Sequence, residues 1–256
     1  MVGVMVYMLG DNTMQNIPII VSSCDKYRYL WDIQLQLFNK YWNDCPHKIY
    51  YLSENSELPV FESKLNLENI KMGIQTSGPS DWSYMLRMFL NNLDSEYFIY
   101  MQEDYVLNDY VNQNKLNKLI DYVISNEINY VRFITSPPGN GDTILIDDDI
   151  SIREIENNMQ WRCSLMTAIW KKSSFIELLN SDMNITPSQF EHINSSNIEK
   201  FYCLDLDDDG ETDIIPFIGI YGSSNGHGIY PQVVEFLKSH NLKMINGSEI
   251  NYEIRL

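Results

Sequence analysis

Tyr97-Phe98-Ile99-Tyr100-Met101-Gln102-Glu103-Asp104-Tyr105 is the stretch on which the fold turns. A short apolar run with strand character stops at two adjacent carboxylates. In α/β proteins ligands bind beyond the carboxyl ends of strands, where side chains leave the sheet and line a crevice. A carboxylate there needs water, a cation or a donor, because burying it unpaired is too unfavourable. A divalent metal carrying a nucleotide diphosphate would meet that need. A strand running into a solvated acidic turn would leave the same residues in the sequence. Neighbours on an extended chain point to opposite sides, so one of Glu103 and Asp104 is expected at a metal and the other against the sheet edge or a loop.

Upstream, Ile17 to Ser23 is a β-rich run broken by Cys24-Asp25-Lys26-Tyr27. From Tyr29 to Asn43, Trp31, Leu35, Phe38 and Trp42 recur at helical spacing. His47 to Ser53 and Asn69 to Gln75 read as strands two and three, so the chain opens β-α-β and predicts a parallel sheet with helices on its faces. Ser77-Gly78-Pro79-Ser80 is a turn cluster. Ser80 or Asp81 then caps a helix whose stripe is Trp82, Met85, Leu86, Phe89 and Leu93. Downstream lie a helix with Leu116, Leu119, Ile120 and Val123 on one face, a strand at Tyr130 to Thr135 and a hairpin or loop from Gly139 to Arg153. Ser164 to Trp170 reads as a strand, Ser173 to Leu179 as a short helix and Ile214 to Gly219 as the last strand. A Gly-rich segment at Gly222 to Gly228 and a closing helix at Gln232 to His240 complete the reading.

With 256 residues, 44% of them hydrophobic, the chain has material for a large core. Its formal net charge of -17 argues against nucleic acid and anionic membrane as partners, which require a basic surface. No apolar run approaches the roughly 20 residues of a membrane span, and Met1 to Met8 lacks the basic region and cleavage site of a signal peptide. A cytoplasmic protein is expected. Cys24, Cys45, Cys163 and Cys203 form no CxxC pair, so free thiols are expected and structural zinc is not.

Three further clusters carry possible chemistry. Pro187-Ser188-Gln189-Phe190-Glu191 places an acid at an expected helix start, where it would be a general base facing a pocket or a partner of the macrodipole. Asp205 to Asp213 begins like a calcium loop, but Pro216 stands where an EF-hand needs its bidentate Glu; an acidic hairpin tip is the better reading. His227, between Gly226 and Gly228, is either a metal or phosphate contact or an exposed loop histidine. No Walker loop, GxGxxG, GxSxG or HExxH occurs.

From Ile17 to Pro231 the order of these blocks resembles a nucleotide-sugar glycosyltransferase of the GT-A fold, of the small bacterial and viral type. The resemblance rests on Ser22-Ser23-Cys24-Asp25-Lys26-Tyr27 after the first strand and on Asp81-Trp82-Ser83 leading through Tyr97 to Asp104-Tyr105. Ser164 to Trp170 followed by Pro187 to Glu191 completes it. It implies a Rossmann-like α/β fold with a mostly parallel central sheet flanked by helices and a small antiparallel hairpin region. Residues 1–16 would be an extension and 17–256 one domain, with a nucleotide-binding half at 17–110 and an acceptor-binding half at 111–256. It implies Ser23, Asp25, Tyr27, Trp82, Gln102 and Glu103 on the nucleotide side, Asp104 and His227 at Mn2+ or Mg2+, and Glu191 as catalytic base. The implied partners are a nucleotide-diphosphate sugar and a glycan or other hydroxyl acceptor, with hexosyl or deoxyhexosyl transfer and inversion. Against the family's DxD motif this chain reads Gln102-Glu103-Asp104, and an amide in the first place is a poorer metal ligand. The rival readings are a nucleotidyltransferase, disfavoured by the glycine-free Ser22 to Tyr27 segment, a non-catalytic sugar-binding protein of the same fold, and a calcium-stabilised structural protein.

Overall fold

The computed structural model describes residues 15–60, 62–73, 81–179, 184–193, 195, 197–206, 212–220 and 230–242. Strand β1 (Ile19–Ser22) sends Ile19 and Val21 into one apolar layer and Ile20 into another. Strand β4 (Tyr97–Gln102) divides Ile99 and Met101 from Phe98 and Tyr100 in the same way. Alternate side chains of a strand face opposite ways, so a run that is apolar at every position is satisfied only with a layer on each side. Helices α1 (Trp31–Tyr41), α3 (Gln113–Ser125) and α6 (Pro231–Ser239) supply the first layer. Helices α2 (Asp81–Leu90), α4 (Lys172–Leu178) and α5 (Pro187–Glu191) supply the second.

The other strands of the central sheet are β2 (Ile49–Ser53), β3 (Leu67–Lys71), β6 (Tyr130–Arg132), β7 (Thr143–Asp147), β8 (Ile150–Glu154), β9 (Ala168–Lys171) and β10 (Phe201–Leu204). The sheet has nine strands in the order β3-β2-β1-β4-β9-β6-β10-β8-β7. Strands β8 and β9 run against the other seven. Beyond the acid pair, β5 (Tyr105–Leu107) leaves this sheet and pairs antiparallel with β11 (Phe217–Gly219), Tyr105 opposite Gly219. The result is a mixed α/β fold with a large, mostly parallel sheet between helices and a small separate antiparallel sheet, the class expected from the sequence.

The chain runs from β1 through α1 to β2 on one side, then returns from β3 through α2 to β4 on the other. The connection therefore reverses between β1 and β4, which is where open α/β sheets bind ligands, outside the carboxyl ends of the strands. Ser23 and Cys24 end β1 there, and Glu103 and Asp104 end β4.

Several expectations need correction. The residues after β1 do not simply break it; Asp25–Leu30 form a 3-10 helix that runs into α1. Strand β10 was not anticipated, and the strand expected at Ile214 to Gly219 is β11, outside the central sheet. The expected hairpin with Asp147-Asp148-Asp149 at its turn forms as β7 and β8, but it extends the central sheet through β10. Of the calcium-like loop, residues 207–211 lie outside the described residues. Asp205 pairs with Arg153 at 2.9 Å, and Asp213 with Lys115 at 2.8 Å. Residues 1–14, the turn cluster Ser77 to Ser80 and the Gly-rich segment Gly222 to Gly228 also lie outside.

Candidate functional site

The acid pair is the turn between β4 and β5, and it is clamped from both sides. Buried Gln34 on α1 donates through Nε2 to the carbonyls of Gln102 at 2.8 Å and Tyr105 at 2.9 Å, the residues flanking the two acids. The backbone N–H of Ile220, just after β11, donates to the carbonyl of Asp104 at 2.8 Å. Gln34 was not singled out from the sequence. Its signal was a polar residue three positions after Trp31 and four before Phe38, on the stripe that α1 buries.

Oδ1 of Asp104 is buried and has no hydrogen-bond partner among the described residues. Burial, with the charge of Glu191 added, pushes the Asp104 carboxyl up from 3.8 to about 6. Glu103 is buried beside it, and burial first, then the charge of Asp104, holds it well above the usual carboxylate range. Among the described residues no cationic side chain is bonded to either acid, and desolvated carboxylates in that state are ones a cation would stabilise. The neighbouring Tyr105 phenol is raised by burial and then by the charges of Asp104 and Glu191. Cys24 is pushed up to about 11 by burial, then by Glu103 and Glu54, so its thiol stays protonated and is not an activated nucleophile.

Glu191 reaches this place by local logic. Thr186-Pro187-Ser188-Gln189 forms a capping box with Pro at the first helical position, so α5 starts at Pro187 and Glu191 is its last residue. The expected position at the helix start is thereby corrected, and the macrodipole reading falls with it. Phe190 anchors the short helix in an aromatic cluster with Trp82, Phe175 and Trp170, at ring separations of 5.5, 5.0 and 6.0 Å. The Glu191 carboxylate accepts the N–H of Leu165 at 2.9 Å and the hydroxyl of Ser164 at 3.4 Å, both through Oε1. Glu191 and Asp104 lie 87 positions apart in the chain, yet the charge of the first is felt at the second.

The other anticipated residues fall into different roles. Asp25 accepts from the backbone N–H groups of Glu54, Asn55 and Ser56 at 3.0–3.3 Å, while its own N–H donates to the Glu54 carboxylate at 3.0 Å. It ties the loop after β2 to the exit of β1. Trp82 is buried, its indole N–H shared between Ser22 Oγ at 3.1 Å and the Tyr100 hydroxyl at 3.3 Å, so it braces β1 against β4 from below. Ser23 accepts the indole N–H of Trp31 at 2.6 Å. Tyr27 is half-buried, with its ring T-shaped to that of Tyr29 at 6.2 Å, and Gln102 is half-buried at the end of β4. His227 lies outside the described residues.

Among the described residues no three His, Cys, Asp or Glu side chains form a ready-made metal cluster. The unpartnered Asp104 Oδ1 nevertheless fits a cation that draws its remaining ligands from phosphate and water, as Mg2+ commonly does. A separate cavity of about 450 Å3 opens at the opposite edge, where β1 to β4 begin, lined by Asn16, Lys48, Tyr50, Asn66, Phe89 and Asp94 among others. It contains no convergent acids and lies a strand's length from the crevice. No helix among the described residues is long and apolar enough to cross a membrane.

No protein-family model matches the chain, and no curated protein matches it. Among solved structures it is similar to the crystal structure of S. aureus TarS 1-349, with a TM-score of 0.42 and 14% identity, over 74% of this chain and 60% of that one. A second crystal structure of S. aureus TarS gives 0.41 and 13%, over 75% of this chain and 37% of that one. The chain thus spans less than two thirds of either, and at these values the likeness carries no functional weight.

Proposed function

We propose that the chain is an inverting glycosyltransferase that moves a hexosyl or deoxyhexosyl group from a nucleotide-diphosphate sugar to a hydroxyl of a glycan or other acceptor. One observation supports this reading above the rest. Asp104, a partly buried acid whose Oδ1 is buried and without a hydrogen-bond partner among the described residues, stands at the switch point of the sheet within electrostatic reach of a second, well-held carboxylate, Glu191. The nucleotide lies across the ends of β1 and β4, its base near Tyr27 and its diphosphate over the Gln102 to Asp104 turn. Asp104 would hold Mn2+ or Mg2+, which would neutralise the leaving diphosphate. Glu191, fixed through Oε1, takes the proton of the acceptor hydroxyl with its other oxygen. The acceptor oxygen bonds to the anomeric carbon from the face opposite the diphosphate, whose bond to that carbon breaks with its electron pair. One such displacement inverts the anomeric centre.

A thermal-shift screen of UDP-, GDP- and dTDP-sugars with and without Mn2+ tests donor binding, since a ligand of the native state alone raises its stability. In transfer and donor-hydrolysis assays, Glu191→Gln is expected to abolish turnover while leaving nucleotide binding nearly unchanged. Unaltered turnover would remove Glu191 from the base role. Donor binding without hydrolysis or transfer under any condition would favour a sugar-nucleotide-binding protein over an enzyme.

A further inference from the structure

Trp161 is at odds with its surroundings. Its backbone is left-handed, with φ of 61°, a conformation that bulky residues rarely adopt. Its side chain is 37% exposed while the next two residues, Arg162 and Cys163, are buried. Outliers of this kind persist only where neighbours enforce them, and they concentrate at ligand sites. The enforcement is visible on both sides. Fully buried Arg132, at the end of β6, donates to the carbonyl of Trp161 at 3.3 Å and also to those of Ile134 and Pro137. Arg162 donates to the carbonyls of Ile155, Ser195 and Ile198 at 2.8–2.9 Å and lies 4.2 Å over the ring of Phe201. The backbone is therefore pinned on either side of the indole, and the ring is turned outward.

The ring packs against the residue that follows the candidate base. The indole and the imidazole of His192 pack at a steep angle with ring centroids 4.5 Å apart, and His192 follows Glu191 directly. His192 Nδ1 donates to the carbonyl of Ser188 at 2.7 Å, so in the neutral ring Nε2 is the acceptor. The same segment, three residues further on, supplies the Ser164 and Leu165 groups that hold Glu191. An exposed indole, an imidazole acceptor and a fixed carboxylate thus share one frame. A flat apolar ring flanked by polar acceptors suits the apolar face and hydroxyl rim of a pyranose. From this juxtaposition we infer that Trp161, with His192, is the platform on which the acceptor sits, and that the acceptor is a pyranose-containing saccharide.

This rests on the transfer reaction proposed above, but its test does not. Wild type, Trp161→Gly and Trp161→Phe are titrated by saturation-transfer NMR with maltose, cellobiose, lactose and N,N′-diacetylchitobiose, and each protein is melted. Wild type binds at least one disaccharide, Trp161→Gly weakens it about tenfold or more, and Trp161→Phe keeps it within about threefold. Trp161→Gly melts at or above the wild-type temperature, because glycine accepts this φ without strain. Failure of wild type to bind any of the four, equal binding by Trp161→Gly, or a melting loss in Trp161→Gly typical of a core tryptophan each overturns the inference. Nucleotide-sugar thermal shifts on the wild type keep the two readings apart. Saccharide binding through Trp161 without any nucleotide-sugar binding would sink the transfer reaction and leave the platform. The reverse would sink the platform alone.

Discussion

Asp104→Asn should stabilise the ligand-free protein and at the same time remove its response to metal and nucleotide. The wild-type carboxyl is raised from 3.8 to about 6 in the fold. The native state therefore holds this proton more tightly than the unfolded chain does, and stability falls as pH rises from about 4 to 6. Above pH 6 the ionised acid is destabilising in full. At roughly 1.4 kcal/mol per unit the burden is about 3 kcal/mol, and partial exposure together with coupling to Glu103 reduces it to about 2. The amide removes that burden, so at pH 7.5 the variant should melt roughly 4–8 °C above wild type. At pH 4 the two should coincide. With Mn2+ and a bound nucleotide sugar at about 100 times Kd, wild type gains about 2.7 kcal/mol and the variant little, so the order reverses. Differential scanning fluorimetry at both pH values, with and without ligand, reads all four points. A variant less stable than wild type at pH 7.5 without ligand would show that Asp104 is a structural acceptor, and an unchanged ligand shift would show that it holds no metal.

Gln34→Leu leaves the carbonyls of Gln102 and Tyr105 without their shared donor; a loss of about 1–3 kcal/mol in urea unfolding is expected, with weaker Mn2+-linked nucleotide binding, and a variant as stable as wild type would show that the clamp is idle. Phe190→Ala empties the centre of an aromatic cluster beneath Glu191; about 3–5 kcal/mol should be lost, and a Phe190→Leu variant that folds should lose turnover more than donor affinity, which steady-state kinetics separates. Burial holds His47 down at about 4, with Nδ1 donating to Ile17 at 2.9 Å and Gln113 facing Nε2 at 3.1 Å. Its neutral form stabilises the fold fully above about pH 6.5, and up to about 3 kcal/mol is lost as pH falls from there to 4; a C–H resonance assigned to His47, by its loss in His47→Gln, that titrates near 6.5 in the native state would contradict this.

Local signals carried much of the architecture. Helices α1 and α3 bury the stripes their 3.6-residue spacing announces, α2 buries Trp82, Met85 and Leu86 of its stripe but ends at Leu90 before Leu93, and β4 stops at its acids, because periodicity and a change of polarity are written in neighbouring residues. Strand β10 is not legible in the sequence because Phe201 to Leu204 is four residues without an alternating pattern, made a strand by pairing with β6 and β8. The residues around Glu191 leave a base and a macrodipole partner both open, and only the family resemblance implies the base; its place at the end of α5 follows from the capping box of Thr186 to Gln189.

The sequence alone determined that helices cover a mostly parallel sheet and that two carboxylates end one of its central strands. Tertiary structure alone decided what the polar residues do. Asp25 is taken up by N–H groups some thirty positions away, Gln34 by carbonyls about seventy away, and Glu191 is brought into the electric field of Asp104. Burial of a stripe is satisfied by any apolar neighbour, so pattern suffices to foresee it. A hydrogen bond or a charge interaction needs a particular partner at a particular distance, and the chain closes that distance only when it folds.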